Sequence, residues 1–178
     1  ANLKTLDAKT SVTVDASLVT LITGTAAELK TVLNAAGIDT PANVAVTVDG
    51  KVSAADLNTI AKATGGVVTA EVEGSAAALN AALKDVNSLD HISVTLTGTS
   101  ATAKDILELN AKCSAFNGDS LQTITGTFAQ MKLIADGALN QALTITDTIK
   151  ATDSDITALN SITSFASGAV KATVEGSA

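Results

Sequence analysis

Four copies of one short phrase divide this chain. They are Ile22-Thr23-Gly24-Thr25, Val72-Glu73-Gly74-Ser75, Ile124-Thr125-Gly126-Thr127 and Val174-Glu175-Gly176-Ser177, and their glycines stand 50, 52 and 50 residues apart. A second phrase keeps the same phase as Asp56-Leu57, Asp105-Ile106 and Asp155-Ile156, each followed three residues later by Ile60, Leu109 or Leu159. Asn2-Leu3 with Leu6 repeats it once more near the start. Self-similarity at a fixed period of this size marks an array whose units bury their apolar faces against neighbours. The sequence therefore reads as one repeat domain over 1–178. Its repeats fall at approximately 1–20 (partial), 21–70, 71–122, 123–172 and 173–178 (partial).

Each unit holds two helix starts. Thr25 with Glu28, Ser53 with Asp56, Thr102 with Asp105, Thr127 with Gln130 and Thr152 with Asp155 have the spacing of capping boxes, in which a hydroxyl accepts from the N3 amide and the N3 side chain reaches back. Ser75 keeps the cap but has Ala78 at N3. Apolar residues follow at helical spacing, as in Leu29, Val32, Leu33 and Ala36. Gly37, Gly65-Gly66, Gly118 and Gly168 stand where helix exits are expected.

Between the helices the period changes to two. Val44, Val46 and Val48 alternate with Ala45 and Thr47; Ile92, Val94 and Leu96 with Ser93, Thr95 and Thr97; Leu143 and Ile145 with Thr144 and Thr146; Val170, Ala172 and Val174 with Lys171, Thr173 and Glu175. A parallel strand covered by helices on both faces would be apolar on both. One polar face predicts helices on a single side. With right-handed crossovers, the expected fold is an α/β right-handed strand-helix solenoid with a one-sided parallel sheet of about seven strands, whose outward positions include Thr95, Thr144 and Thr173. A three-layer doubly wound α/β domain is the alternative.

Composition narrows the function classes. Of 178 residues 46% are apolar, enough for a core, and with three Phe and no Trp or Tyr that core is aliphatic. The 11 basic residues are all Lys, against 18 acidic ones, for a net charge of −7. Without Arg forks or stacking aromatics, and with this charge, nucleic acid is not an expected partner. No apolar run is long enough for membrane insertion. Cys113, the single cysteine, excludes an internal disulfide and a multi-thiolate metal site and is read as a buried small residue.

Catalytic signals are weak. His91, the one histidine, follows Asp90, but adjacent residues entering a strand point to opposite faces, so Asp90 is not placed to orient the imidazole. No GxSxG, HExxH, CxxC, GxGxxG or Walker-type phrase occurs. The expected protein is not an enzyme and uses no cofactor. Asp56, Asp105 and Asp155 would stack as a ladder, which the capping boxes explain. Asp147, Asp153 and Asp155 form a looser acidic cluster around a turn, with Asp49-Gly50 in the matching turn of an earlier unit, and are the weak calcium candidates, although no EF-hand loop or calcium nonapeptide is present. The exposed face carries Thr95, Thr97, Thr123, Thr125, Thr144 and Thr146. Threonine suits any wet strand face, and a regular array of it is also a candidate surface for glycan or ice.

The stretch Val46-Thr47-Val48-Asp49 through Ser53-Ala54-Ala55-Asp56-Leu57-Asn58, then Gly66-Val67-Val68-Thr69-Ala70 and Gly74-Ser75-Ala76-Ala77, resembles the repeats of very large surface-associated proteins of cyanobacteria and other bacteria, described as β-strand-repeat, S-layer-like or hemolysin-type surface proteins. The resemblance implies an extracellular or cell-surface, non-catalytic role: a structural segment of a surface layer, filament or adhesin. The alternative is a binding module for glycan, ice or calcium. Ser177 stands at a cap position, and Asn2-Leu3-Lys4 lies inside a helical phrase. Both ends are therefore expected to expose repeat interfaces, with further repeats of a parent chain or head-to-tail copies as partners.

Overall fold

The computed structural model describes residues 2–135, 142–150, 152–166 and 168–176. In chain order the elements are α1 (Asn2–Asp7), β1 (Val14–Asp15), β2 (Leu21–Gly24), α2 (Ala26–Leu33), β3 (Ile38–Asp39), β4 (Ala45–Val52), α3 (Ala54–Ala63), β5 (Val68–Gly74), α4 (Ala76–Ala82), β6 (His91–Leu96), β7 (Ser100–Thr102), α5 (Ala103–Asn110), β8 (Ala115–Asn117), β9 (Thr123–Gly126), α6 (Phe128–Ala135), β10 (Ala142–Lys150), α7 (Asp153–Phe165) and β11 (Val170–Glu175). This is an α/β protein built on parallel sheets.

The chain forms two compact units. The first comprises Ala1–Gly74, Ala81–Thr95 and Ala111–Asn117; the second comprises Ser75–Asn80, Leu96–Asn110 and Gly118–Ala178. In the first, a five-stranded sheet has the order β2-β4-β5-β6-β8, and β1 pairs with β3 in a separate parallel ribbon. The pairs β2–β4, β4–β5 and β6–β8 are parallel. In the second, a four-stranded parallel sheet runs β7-β9-β10-β11. Within each sheet the strands lie in chain order.

The period-two pattern sets which face is buried. In the first unit Ile22, Val46, Val48, Val68, Ala70, Ile92 and Val94 are buried against Leu29, Val32, Leu57, Ile60 and Leu83. Thr23 and Thr95 on the other face are exposed, and Thr47 and Thr69 half-buried. In the second unit Ile124, Leu143, Ile145 and Ile149 are buried with Ile106, Leu109, Met131 and Ile162. At roughly 25 cal/mol per Å2 of apolar surface, each buried Val, Leu, Ile or Met among them contributes about 1.5–3 kcal/mol.

Two sequence expectations change here. About seven strands were expected, but eleven are found among the described residues. Short strands add β1 and β3, and a break at Gly98, whose φ of 96° needs glycine, separates β6 from β7. Gly50 plays the related role inside β4: with φ at 75° it sits where the register against β5 shifts between Thr47 and Lys51. Asp49-Gly50 is therefore a bulge within a strand and not a turn. The second change concerns β11. Val174 lies on its expected apolar face yet is 48% exposed, because β11 has β10 on one side and no described neighbour on the other.

The glycines past the helices also have a different purpose from left-handed capping. Neither Gly37, Gly65 nor Gly66 is among the positive-φ glycines. A Cβ at Gly66 would overlap the carbonyl oxygens of Asn43 and Val44, so that residue is a close approach of two backbones at the entry to β4 and β5.

Candidate functional site: hydroxyl rows on the sheets

Strand pairing places threonines side by side. In the first unit Thr23 is opposite Thr47, and Thr47 opposite Thr69, giving a three-membered row across β2, β4 and β5. In the second unit Thr102, Thr125 and Thr144 form a row across β7, β9 and β10, which ends on Lys171 of β11. Ser100 and Thr123 pair one step away. Neighbouring strands of a sheet lie about 4.8 Å apart, so each row is a line of hydroxyls with that repeat.

The predicted face divides among these rows. Thr123, Thr125 and Thr144 belong to the second unit and are half-buried, and Thr146 is exposed further along β10. Thr95 is exposed on β6 of the first unit, opposite Asn117 of β8, while Thr97 lies in the link after β6. These two therefore do not share a row with the other four. Thr23, Thr69 and Thr102 were not singled out as face residues. The signal for Thr23 was present: it holds the same place in the repeated phrase as Thr125, directly before the glycine.

The helix starts hold as predicted, with differing detail. Thr25 and Glu28 form a complete box: Thr25 Oγ1 accepts from Glu28 N at 3.4 Å, and Thr25 N donates to Glu28 Oε2 at 3.0 Å. Thr127 and Gln130 do the same at 3.3 and 3.0 Å. At Ser53 the hydroxyl accepts from Asp56 N at 3.1 Å, and the Asp56 carboxylate also forms an ion pair with Lys30 of α2. Thr102 and Thr152 accept from Asp105 N and Asp155 N and donate their own hydroxyls to the same carboxylates at 2.7 and 2.6 Å.

The acidic ladder is not a stack of carboxylates on one another. Asp56 faces Lys30, Asp105 accepts from Asn80 Nδ2 at 3.2 Å, and Asp155 is held by Thr152. Lys30 holds the Asp56 carboxyl below its usual range, with Ser53 adding to the effect against some desolvation. The Thr25 backbone and hydroxyl do the same for Glu28, and the Ser17 hydroxyl and amide for Asp15.

Of the calcium candidates, Asp147 lies within β10 and not in a turn, and its Oδ1 accepts from Phe128 N at 2.6 Å at the start of α6. Asp155 is in the first turn of α7. The Asp153 side chain lies outside the described residues. Among the described residues no group of three His, Cys, Asp or Glu side chains converges.

His91 and Asp90 part company at the head of β6. Asp90 is buried, 3% exposed, while His91 is exposed. Cys113 is half-buried in the link after α5, and burial pushes its thiol up to about 11, against a smaller opposite effect of Lys112. Among the described residues no helix is long and apolar enough to cross a membrane.

The fold and site thus define an α/β protein of parallel sheets bearing rows of hydroxyls. No family model, curated protein or solved structure matches the chain.

Proposed function

We propose that this chain is a non-catalytic structural repeat segment of a bacterial cell-surface, S-layer-like, filament or adhesin protein, folded as a right-handed solenoid with its helices on one side of the sheet. The observation that carries the reading is the strand order. Within each sheet the parallel strands follow one another in chain order, and the repeated glycine phrase recurs at β2 and β5 in one sheet and at β9 and β11 in the other. A doubly wound sheet would reverse its order at a switch point, whereas an array adds each unit beside the last. The acids and hydroxyls at the helix starts serve as caps and lateral ties, which is the chemistry of a scaffold.

A second reading follows from the hydroxyl rows. Thr23, Thr47 and Thr69, and Thr125 and Thr144 of the second unit, are spaced regularly enough to meet a repeating ligand, with glycan and ice the candidate classes; the Thr102 hydroxyl is held by the Asp105 cap. Mass measurement and surface fractionation of the native protein, with a glycan screen and an ice-recrystallisation assay on the purified chain, separate the two. A long, repeat-rich surface protein whose threonine face is inert supports the scaffold. Glycan or ice binding abolished by Thr47→Val and Thr125→Val supports the binding module, and a short intracellular native protein overturns both surface readings.

A further inference from the structure

Aspartate or asparagine stands directly before glycine at Asp49-Gly50, Asn117-Gly118 and Asp136-Gly137, the last outside the described residues. Such pairs share one reaction. The glycine nitrogen attacks the side-chain carbonyl carbon of the residue before it and closes a five-membered ring, since glycine has no Cβ to block the approach. We propose that Asp49-Gly50 is a site of spontaneous aspartate isomerisation in the folded protein, and that the sheet protects Asn117-Gly118 from the equivalent reaction. The proposal is independent of the scaffold and binding-module readings.

Three observations single out Asp49-Gly50. The first is its place in the ladder. Thr47 pairs with Thr69 and Lys51 with Glu71, so β4 advances by four residues where β5 advances by two. Val48 still pairs with Gly24 of β2, but Asp49 and Gly50 have no paired residue on either neighbouring strand. Extra residues at a bulge are left out of the ladder that would otherwise hold them extended. The second is space: both residues are exposed, and a Cβ built on Gly50 would meet nothing within 4 Å. The third is the carboxylate. Asp15, Asp56, Asp90, Asp105 and Asp147 all accept hydrogen bonds, whereas Asp49 makes no hydrogen bond or ion pair with any described residue. Its side chain is free to turn onto the next nitrogen, and a reactant already held beside its target reacts far faster than a separate one.

Asn117 supplies the comparison within the same chain. Ammonia leaves an amide more readily than water leaves a carboxyl group, so in an open chain Asn-Gly reacts faster than Asp-Gly. Here Asn117 pairs with Thr95 across β8 and β6, and Gly118 is buried. The fold thus reverses the order that the chemistry alone would set.

The reaction balances with water as its only co-reactant. A bond forms between the Gly50 nitrogen and Asp49 Cγ, and the carboxyl hydroxyl and the amide proton leave together as water. A second water then opens the ring. Attack at Cγ restores aspartate; attack at the main-chain carbonyl leaves the chain running through Cγ, with the α-carboxylate as a branch. That product lengthens the backbone of β4 by one methylene where its register is already shifted, so the pairs on either side are retained. It is the substrate class of isoaspartyl methyltransferases, which serve as the probe.

The full chain is aged at body temperature and neutral pH, folded or in urea, and isoaspartate is located by methyltransferase labelling and peptide mapping. Residue 49 is expected to isomerise within about threefold of its rate in urea, and residue 117 to be suppressed by roughly tenfold or more, because paired backbone reacts only when it opens. Asp49→Glu, which would need a six-membered ring, should lose the label at residue 49 with an unchanged circular dichroism spectrum. Asp49→Asn gives the two sites the same chemistry, and this variant should lose ammonia at residue 49 before residue 117 while folded and at comparable rates in urea. Suppression at residue 49 as deep as that at residue 117 overturns the proposal, as does a folded Asp49→Asn chain that deamidates first at residue 117.

Discussion

The Asp90 carboxylate is tied to the backbone of the neighbouring strand: its Oδ1 accepts from Val68 N at 2.8 Å, while Oδ2 accepts from Asn87 N at 3.0 Å. One buried side chain thus joins the start of β5 to the turn that opens β6. Removing it leaves two amides without their acceptors, and hydrogen bonds to a charged group are stronger than neutral ones. Asp90→Ala is expected to cost about 2–4 kcal/mol of unfolding free energy, Asp90→Asn about half of that, and His91→Ala within about 0.5 kcal/mol. Urea denaturation of the three variants checks the order. Equal losses at Asp90 and His91 would remove the assignment.

Acid should loosen the helix starts. The folded pKa values of Glu28 and Asp56 lie below the ordinary 4.5 and 3.8. A depressed folded pKa means that the stabilisation is complete above the unfolded value and is lost as pH falls through the folded one. The thermal midpoint is therefore expected to fall as pH drops below the ordinary carboxylate range, with a shallower fall in a Glu28→Gln, Asp56→Asn double variant. Both groups are partly exposed to solvent, so the effect is small and the Lys30 share shrinks in high salt. An acid limb unchanged by the double variant contradicts the mechanism.

Cys113 should be slow to modify. With the thiol pushed from 9.0 up to about 11 by burial, the reactive thiolate is scarce near neutrality. The alkylation rate is expected to lie well below that of free cysteine at mildly alkaline pH, to keep rising toward about pH 11, and to reach the free value when the chain is unfolded. A rate that levels off near the ordinary thiol pKa would show an accessible thiol.

Calcium should add little. Asp147 already accepts from Phe128 N and Asp155 from the Thr152 hydroxyl, so neither is an idle carboxylate. Millimolar calcium is expected to move the thermal midpoint no more than magnesium does. A calcium-specific rise, which mass action requires of any ion that binds the folded state, would reassign these residues to a metal site.

What could be read from the residues, and what could not, follows from the range of each interaction. The Thr25 and Thr127 boxes span three residues, so their spacing alone shows them. The buried face of β4 is equally plain, because Val46 and Val48 alternate with Thr47. The tie from Asp90 to Val68 crosses 22 residues, and nothing in Leu89-Asp90-His91 announces a backbone partner so distant. The Asp56 carboxylate likewise reaches Lys30, 26 residues away. The threonine rows were half legible: period two identifies the polar face, but which threonines are neighbours depends on register, and the shift in β10 between Thr144 and Thr148 leaves Thr146 without a paired residue on β11 among the described pairs.

The repeated glycine can be tested where its space is tightest. Gly126 is the buried end of β9, and a Cβ built there would overlap the Cβ of Ala103, the first residue of α5, and stand 3.0 Å from Gln130 Oε1. The obstacle is steric and not conformational, since Gly126 is not among the positive-φ residues. Gly126→Val is expected to cost about 1–3 kcal/mol or more through overpacking, and Gly126→Ala somewhat less. If the clash with Ala103 is the cause, Ala103→Gly should restore part of the loss in the Gly126→Ala background, giving a favourable coupling of about 0.5 kcal/mol or more, although alone it weakens α5 by up to about 1 kcal/mol. Gly50→Ala is the control: it meets nothing within 4 Å, but its φ of 75° disfavours any side chain. Its loss of roughly 1 kcal/mol should be untouched by Ala103→Gly. Additive losses at Gly126 and Ala103 would show that the clash with Ala103 is not what the glycine of the phrase avoids.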